Sequence, residues 1–253
     1  MKIMIIRHAE PDYSIDSLTE KGHREAALLA NRLARVPDVT AIYQSPLGRA
    51  RETARYSLEK MGRTAETLPW LQEFRGKAWD SYRQKERIVW DYRQEQWHDR
   101  PELFHEESWA GSDLFRGGDV EQIWDEVCRG TDEVLARHGY VRDGHIWRCK
   151  DNGRDTLMFF CHFGVGTAMM AYLTGLSPIP LWHAFSMQPS SVTTLVTQER
   201  TKGEVDFRCY QYGDLSHLYV AGEPHSTAAL FAECYDGRDS TDPIEWGDRR
   251  KKG

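Results

Sequence analysis

Two uninterrupted apolar runs constrain the fold more than any other feature of the chain. "IMII" at residues 3–6 and "LMFFC" at 157–161 show none of the polar alternation of a half-exposed sheet, so both read as buried strands. Each gives way to a helical pattern. After the first, "LTEKGHREAALLANRLARV" offers Thr19 as an N-cap and puts Ala26, Leu29, Ala30 and Leu33 on one face. After the second comes a turn and a helix stopping at Gly175. Between them, "VTAIYQ" reads as a strand, and "SPLGRARETARYSLEKMG" as a helix with Ser45 as cap, Pro46 at its first position and Gly62 as its stop. Residues 119–139 form another amphipathic helix, and "SSVTTLVTQ" and "EVDFRCYQY" two late strands. Strands alternating with helices imply an α/β fold, a three-layer sandwich with a mainly parallel central sheet.

The stretch 70–118 breaks this rhythm. It holds five of the nine tryptophans (Trp70, Trp79, Trp90, Trp97, Trp109), many charges and no period-2 pattern, and reads as an inserted, largely helical cap within one domain spanning 1–253. "PLWHAF" places Trp182 and His183 in a loop bordering the site. The polar tail, 232–253, is expected to pack loosely.

Composition excludes several classes of function. With 253 residues, 40% hydrophobic and 28% charged, the chain can bury a sizeable core. A net charge of −6 argues against nucleic acid and anionic membrane as partners. The start is too short in apolar residues for a signal peptide, and no run is long enough to span a bilayer, so a cytoplasmic protein is expected. Five scattered cysteines without a CxxC pair read as reduced thiols. His138, His145 and Cys149 match no compact zinc spacing, so neither a metal nor a cofactor is called for.

In parallel sheets the ligand sits at the carboxyl ends of the strands. Arg7 and His8 leave the end of the first strand, Arg49 lies in the first helical turn after the second, and His162 leaves the end of "LMFFC". Together they make an anion site, because guanidinium forks match phosphate oxygens. One arginine about 4 Å from a phosphate charge contributes roughly 4 kcal/mol at an effective dielectric near 20. A neutral histidine there can attack phosphorus if a backbone carbonyl holds one ring nitrogen as a donor, leaving the other as nucleophile. A leaving alkoxide then needs a carboxylic acid above the site. Taken singly, the same residues have plainer readings: a surface loop for Arg7-His8, a satisfied core histidine for His162, solvated helix cations for Arg49 and Arg51.

Taken together, "IIRHAE", "SPLGRARETA" and "FFCHFGV" resemble the histidine phosphatase superfamily, specifically its phosphoglycerate mutase-like branch. "SLTEKGHREA" is similar to the family's L-T-x-x-G-x-x-Q-A helix, with Glu25 in the glutamine place. The resemblance implies a nucleophilic His8, a phosphate pocket of Arg7, Arg49 and His162, and, from "LQEFRGKAWD", Glu73 as acid and base. It departs from the family in three places. Phe163 stands where a glycine usually follows the second histidine, and could narrow the pocket or stack on substrate. Trp79-Asp80-Ser81 replaces W-E-G, so Asp80 competes with Glu73. An asparagine after the first motif is missing, leaving Ser14 or Tyr13 to substitute.

The leading expectation is a metal-independent phosphomonoester hydrolase acting on a small phosphorylated metabolite through phosphohistidine. A phosphoglycerate mutase and a non-catalytic phospho-ligand-binding module are the alternatives. Of the cap's cations, Arg75, Lys77, Arg83, Lys85, Arg87 and Arg93 are expected on a solvated face, with one available for a second anionic group.

Overall fold

The structure, a computed structural model, describes residues 1–228. The strand Lys2–Arg7 pairs in parallel with Thr156–Cys161, that strand with Val39–Gln44, and Val39–Gln44 with Glu66–Thr67. On its other side Lys2–Arg7 runs antiparallel to Val192–Thr201, followed by Glu204–Asp214, Ile146–Cys149 and Tyr140–Asp143, all antiparallel. One eight-stranded sheet results, parallel in the half that builds the site.

Alternate residues of the apolar runs feed two cores, which is why neither run could afford a polar face. Ile3, Ile5, Leu157 and Phe159 point into a core shared with the helices Val120–Arg137 and Phe163–Thr174. Met4, Ile6, Met158 and Phe160 meet Leu29, Leu33 and Ala54 of the helices Glu20–Leu33 and Gly48–Met61. Thr19 caps its helix by accepting from Gly22 N, and Gly62 and Gly175 end theirs in the left-handed conformation.

The helix after the second strand starts later than its sequence suggests. Ser45 N donates to Phe160 O at 2.8 Å, so Ser45 still belongs to the sheet's hydrogen-bond ladder; Leu47 is the N-cap and Gly48 the first helical residue. Trp182 and His183 lie on a helix, Pro178–Ala184, capped by Ser177, and not in a loop. Trp182 donates to Gly164 O, and His183 contacts the Ile179 and Tyr92 carbonyls, so both serve packing.

The 70–118 segment contains single helical turns at Val89–Asp91, Gln94–Trp97, Pro101–Phe104 and Asp113–Phe115, and one antiparallel hairpin, Lys77–Asp80 with Lys85–Ile88. The hairpin left no trace in the hydrophobic pattern because one of its inward positions is the charged Asp80. Its aromatics do not form a core of their own. Phe74 lies 4.9 Å from Trp182 and 6.3 Å from Trp109, and Trp109 lies 5.2 Å from Trp124 of the sandwich, ring centre to ring centre. Trp109 is fully buried, whereas Trp79 is exposed.

His138 is held by Asp155 and Tyr43, and His145 by Glu106 and Glu107, so these and Cys149 do not gather as ligands. Cys128, Cys149, Cys161 and Cys209 are free thiols. Cys234 and the tail from 232 lie outside the described residues. Among the described residues no helix is long and apolar enough to cross a membrane.

Candidate active site

Strand register assembles the site. Arg7 is paired with Cys161, and Phe160 with Gln44, so the next residues along the three strands, His8, His162 and Ser45, leave the sheet side by side. Two bonds extend the ladder just past the strand ends: His8 N to Cys161 O at 2.9 Å and Ser45 N to Phe160 O at 2.8 Å. The rings of His8 and His162 consequently lie 5.1 Å apart, tilted by 56°.

His8 is buried, and its Nδ1 lies 2.8 Å from Ala9 O. A carbonyl can only accept, so Nδ1 carries the proton and Nε2 keeps a free lone pair. Burial, reinforced by the Arg7 and Arg49 cations, holds the His8 pKa well below the ordinary imidazole value, so the ring is neutral.

His162 is fixed by a residue read from sequence only as a helix cap. Ser45 Oγ lies 2.7 Å from His162 Nε2 and accepts from Leu47 N. The Ser45 hydroxyl keeps its own proton and a second lone pair for Nε2, so this contact fixes the orientation of the His162 ring in either neutral tautomer. Burial and the His8, Arg49 and Arg7 neighbours push the His162 pKa well down, keeping the ring neutral. Nδ1 is buried without a partner among the described residues, as are Nε of Arg7 and Nε of Arg49. Buried N–H donors left unpartnered on neighbouring residues cost free energy until an anion accepts from them.

The arginines are held from behind. Arg7 Nη1 donates to Met187 O, and Arg49 Nη1 to Asp16 Oδ1 at 2.6 Å, while Asp16 Oδ2 accepts from Gly48 N. Nothing in the residue pattern points to Asp16. Of the two substitutes considered for the family's asparagine, Ser14 is tied to Asp12, and Tyr13 lays its ring 5.4 Å from the Arg49 guanidinium.

Glu73 reaches the same place from the 70–118 segment. Its Oε1 accepts from Phe74 N at 2.8 Å and from Val165 N at 3.1 Å. With Oε1 doubly occupied as an acceptor, a carboxylic proton belongs on Oε2. Burial raises the Glu73 pKa against the opposing pull of these N–H groups and of Arg7 and Arg49. The approach requires a glycine: a Cβ on Gly164 would sit 2.6 Å from Glu73 Oε1 and 2.8 Å from Trp90 Nε1. Phe163 is the residue beside it, its ring 5.7 Å from the Arg7 guanidinium and edge-on to Trp90 at 6.0 Å.

Asp80, the competing carboxylate, is elsewhere occupied. It accepts from Tyr82 N, from Arg83 N and Nη1, and from Gln96 Nε2. Burial pushes its pKa up, but these donors outweigh it and hold the carboxyl below its ordinary range. It remains an ionised structural group.

Comparison with known proteins bears on the family and the fold. The family model for the histidine phosphatase superfamily (branch 1) matches residues 3–209. Phosphoserine phosphatase from Entamoeba histolytica, solved with phosphoserine, is 17% identical and superposes over 86% of this chain and 98% of its own with a TM-score of 0.56. A mycobacterial glucosyl-3-phosphoglycerate phosphatase is 18% identical over 84% of this chain and 98% of its own, with a TM-score of 0.55. At such identities the likeness is one of fold. Comparison with curated proteins gives no match.

Proposed function

The chain belongs to the histidine phosphatase superfamily, branch 1, and from that premise we propose that it hydrolyses phosphate monoesters, without a metal ion, through a phosphohistidine on His8. The observation that carries the reading is a neutral, buried His8 whose Nδ1 is fixed by Ala9 O, set 5.1 Å from His162 and close to the Arg7 and Arg49 cations, with buried Arg7 Nε, Arg49 Nε and His162 Nδ1 left without partners.

The phosphoryl group of the substrate lies against these donors, which neutralise its charge and keep their hold as charge shifts in the transition state. His8 Nε2 attacks phosphorus as the bond to the leaving oxygen breaks. Glu73, protonated on Oε2, gives its proton to that oxygen, and the alcohol departs. Glu73, now a carboxylate, takes a proton from water as the water oxygen attacks phosphorus; the P–N bond breaks and its electron pair returns to His8. A bound phosphate dianion near Glu73 raises its pKa further, favouring the donor form at the start of the cycle.

The test is release of inorganic phosphate from benzyl phosphate in excess chelator. Sustained turnover is expected. Failure to hydrolyse any monoester, or phosphoryl exchange on 3-phosphoglycerate that requires 2,3-bisphosphoglycerate, would replace this reading with the binding module or the mutase.

A further inference from the structure

The phosphate end of the site is cationic, whereas the arginines of the 70–118 segment, which supplies Glu73, are engaged elsewhere. Each of the six arginines between residues 70 and 118 already has a partner. Arg75 pairs with Glu126, Arg83 with the buried Asp80, Arg87 with Asp91, Arg100 with Glu102, and Arg116 with Asp113. Arg93 donates to Tyr82 OH and lies 4.1 Å from that ring. Lys77 and Lys85 stand exposed on the hairpin strands, in the solvated position expected of them, so among the described residues of this segment no buried, unpaired cation stands ready for a second anionic group. Breaking a buried pair such as Arg83 with Asp80 to free one would strand the other charge.

Aromatic surface stands beside the acid instead. The Cβ position of Gly164 is approached by Glu73 Oε1 and by the Trp90 indole together, so Trp90 neighbours the carboxyl that protonates the leaving oxygen. Trp90 is oriented by its Nε1–H bond to Phe74 O at 3.0 Å and by the edge of Phe163. Phe163 in turn lies by Arg7, in the place where the family usually has glycine, and Tyr13, largely exposed, covers Arg49 on the other flank. An alcohol attached to phosphorus between these groups meets rings, and Asp16 beside Arg49 adds a negative charge that opposes a carboxylate there.

We propose that the substrates are phosphate monoesters of uncharged alcohols with an aromatic or otherwise apolar body, held by Trp90 and Phe163, and that esters carrying a second anion are selected against. This rests on the hydrolase reading and adds the substrate class to it. The class differs from the phosphoserine and glucosyl-3-phosphoglycerate that name the two structural neighbours.

Benzyl phosphate and O-phospho-L-serine test it, because both are primary alkyl esters and their leaving oxygens make similar chemical demands. Benzyl phosphate is expected to have the higher kcat/KM by about tenfold or more. Trp90→Ala should cut that ratio by about tenfold, mainly through KM for the benzyl ester, and Trp90→Phe, which keeps a ring but loses the bond to Phe74, should restore most of it. Equal or better use of phosphoserine overturns the inference and leaves the hydrolase standing. An equal loss on both esters in Trp90→Ala also overturns it, by making Trp90 a support for Glu73 alone. If neither ester is hydrolysed, the hydrolase reading fails and takes this one with it.

Discussion

The floor of the site and its wall are built by different physics. The floor, Arg7, His8, Ser45 and His162, stands on strand ends whose register is set by backbone hydrogen bonds between neighbours in the sheet. The wall, Glu73, Trp90 and Phe163, depends on side chains brought together from distant parts of the chain, with Phe74 seated among Trp109 and Trp182. A ladder fixes every residue along it at once, whereas a packed aromatic cluster fixes only the groups that happen to touch. The floor therefore tolerates little variation in chemistry, and the wall is free to change with the substrate.

If that division is right, the variants should separate along it, and after the nucleophile itself the largest effect falls where the wall joins the chemistry. Glu73→Gln should lower kcat for benzyl phosphate by about 10² to 10⁴-fold. The loss should be much smaller for p-nitrophenyl phosphate, whose leaving oxygen needs no proton. In the unsubstituted protein kcat/KM should rise with pH through the depressed His8 pKa and fall through the elevated Glu73 pKa, giving a broad plateau between them; Glu73→Gln should remove the alkaline fall. Matched losses on the two esters, or an unchanged alkaline limb, would take Glu73 out of the acid role.

For the floor residue that orients His162 the effect is smaller. Ser45→Ala frees the His162 ring, and the loss of one orienting hydrogen bond of roughly 0.5–1.5 kcal/mol should reduce kcat/KM about two- to tenfold, with weakened inhibition by inorganic phosphate. Phosphate inhibition that stays the same would mean that Ser45 supports the strand end and nothing more.

The smallest effect concerns the floor's underside. Glu25 is fully buried, accepts from Glu10 N at 2.9 Å, and burial raises its pKa to about 7, with the Glu10 N–H opposing and the Glu10 charge adding to the rise. Because the folded protein holds this proton more tightly than the unfolded chain does, the stabilisation is present below the ordinary carboxyl range and is lost as pH rises from there through about 7. Glu25→Gln should therefore gain roughly 1–3 kcal/mol relative to the parent at pH 8 and much less at pH 5, read as the difference in Tm. The same difference at both pH values would contradict the raised pKa.

The same contrast explains what could be read in advance. Strand exits announce themselves locally: "IIRHAE" and "FFCHFGV" juxtapose an apolar run with a reactive side chain, and the α/β alternation says which ends meet. Glu73 was reachable only through family resemblance, since its bonds to Phe74 and Val165 depend on the packed segment and on the missing Cβ at Gly164. The role of Ser45 was hidden because a Ser-Pro pair reads as a helix start, while the ladder bond that holds it in the sheet involves a residue more than a hundred positions away. Asp16 gave no signal, because a loop aspartate two residues after Ser14 looks like any turn former. The hairpin of the 70–118 segment was lost for a related reason: a buried ion pair occupies the place of the apolar residue that would have marked it.

The central claim is the covalent step at His8. The enzyme mixed with benzyl phosphate and quenched in base should carry one phosphoryl group on the peptide containing His8, stable in base, released by acid, and absent from His8→Ala, which should also lose activity by about 10⁴-fold or more. Undiminished turnover in His8→Ala, or a phosphoryl group that resists acid and maps to another residue, would contradict the account.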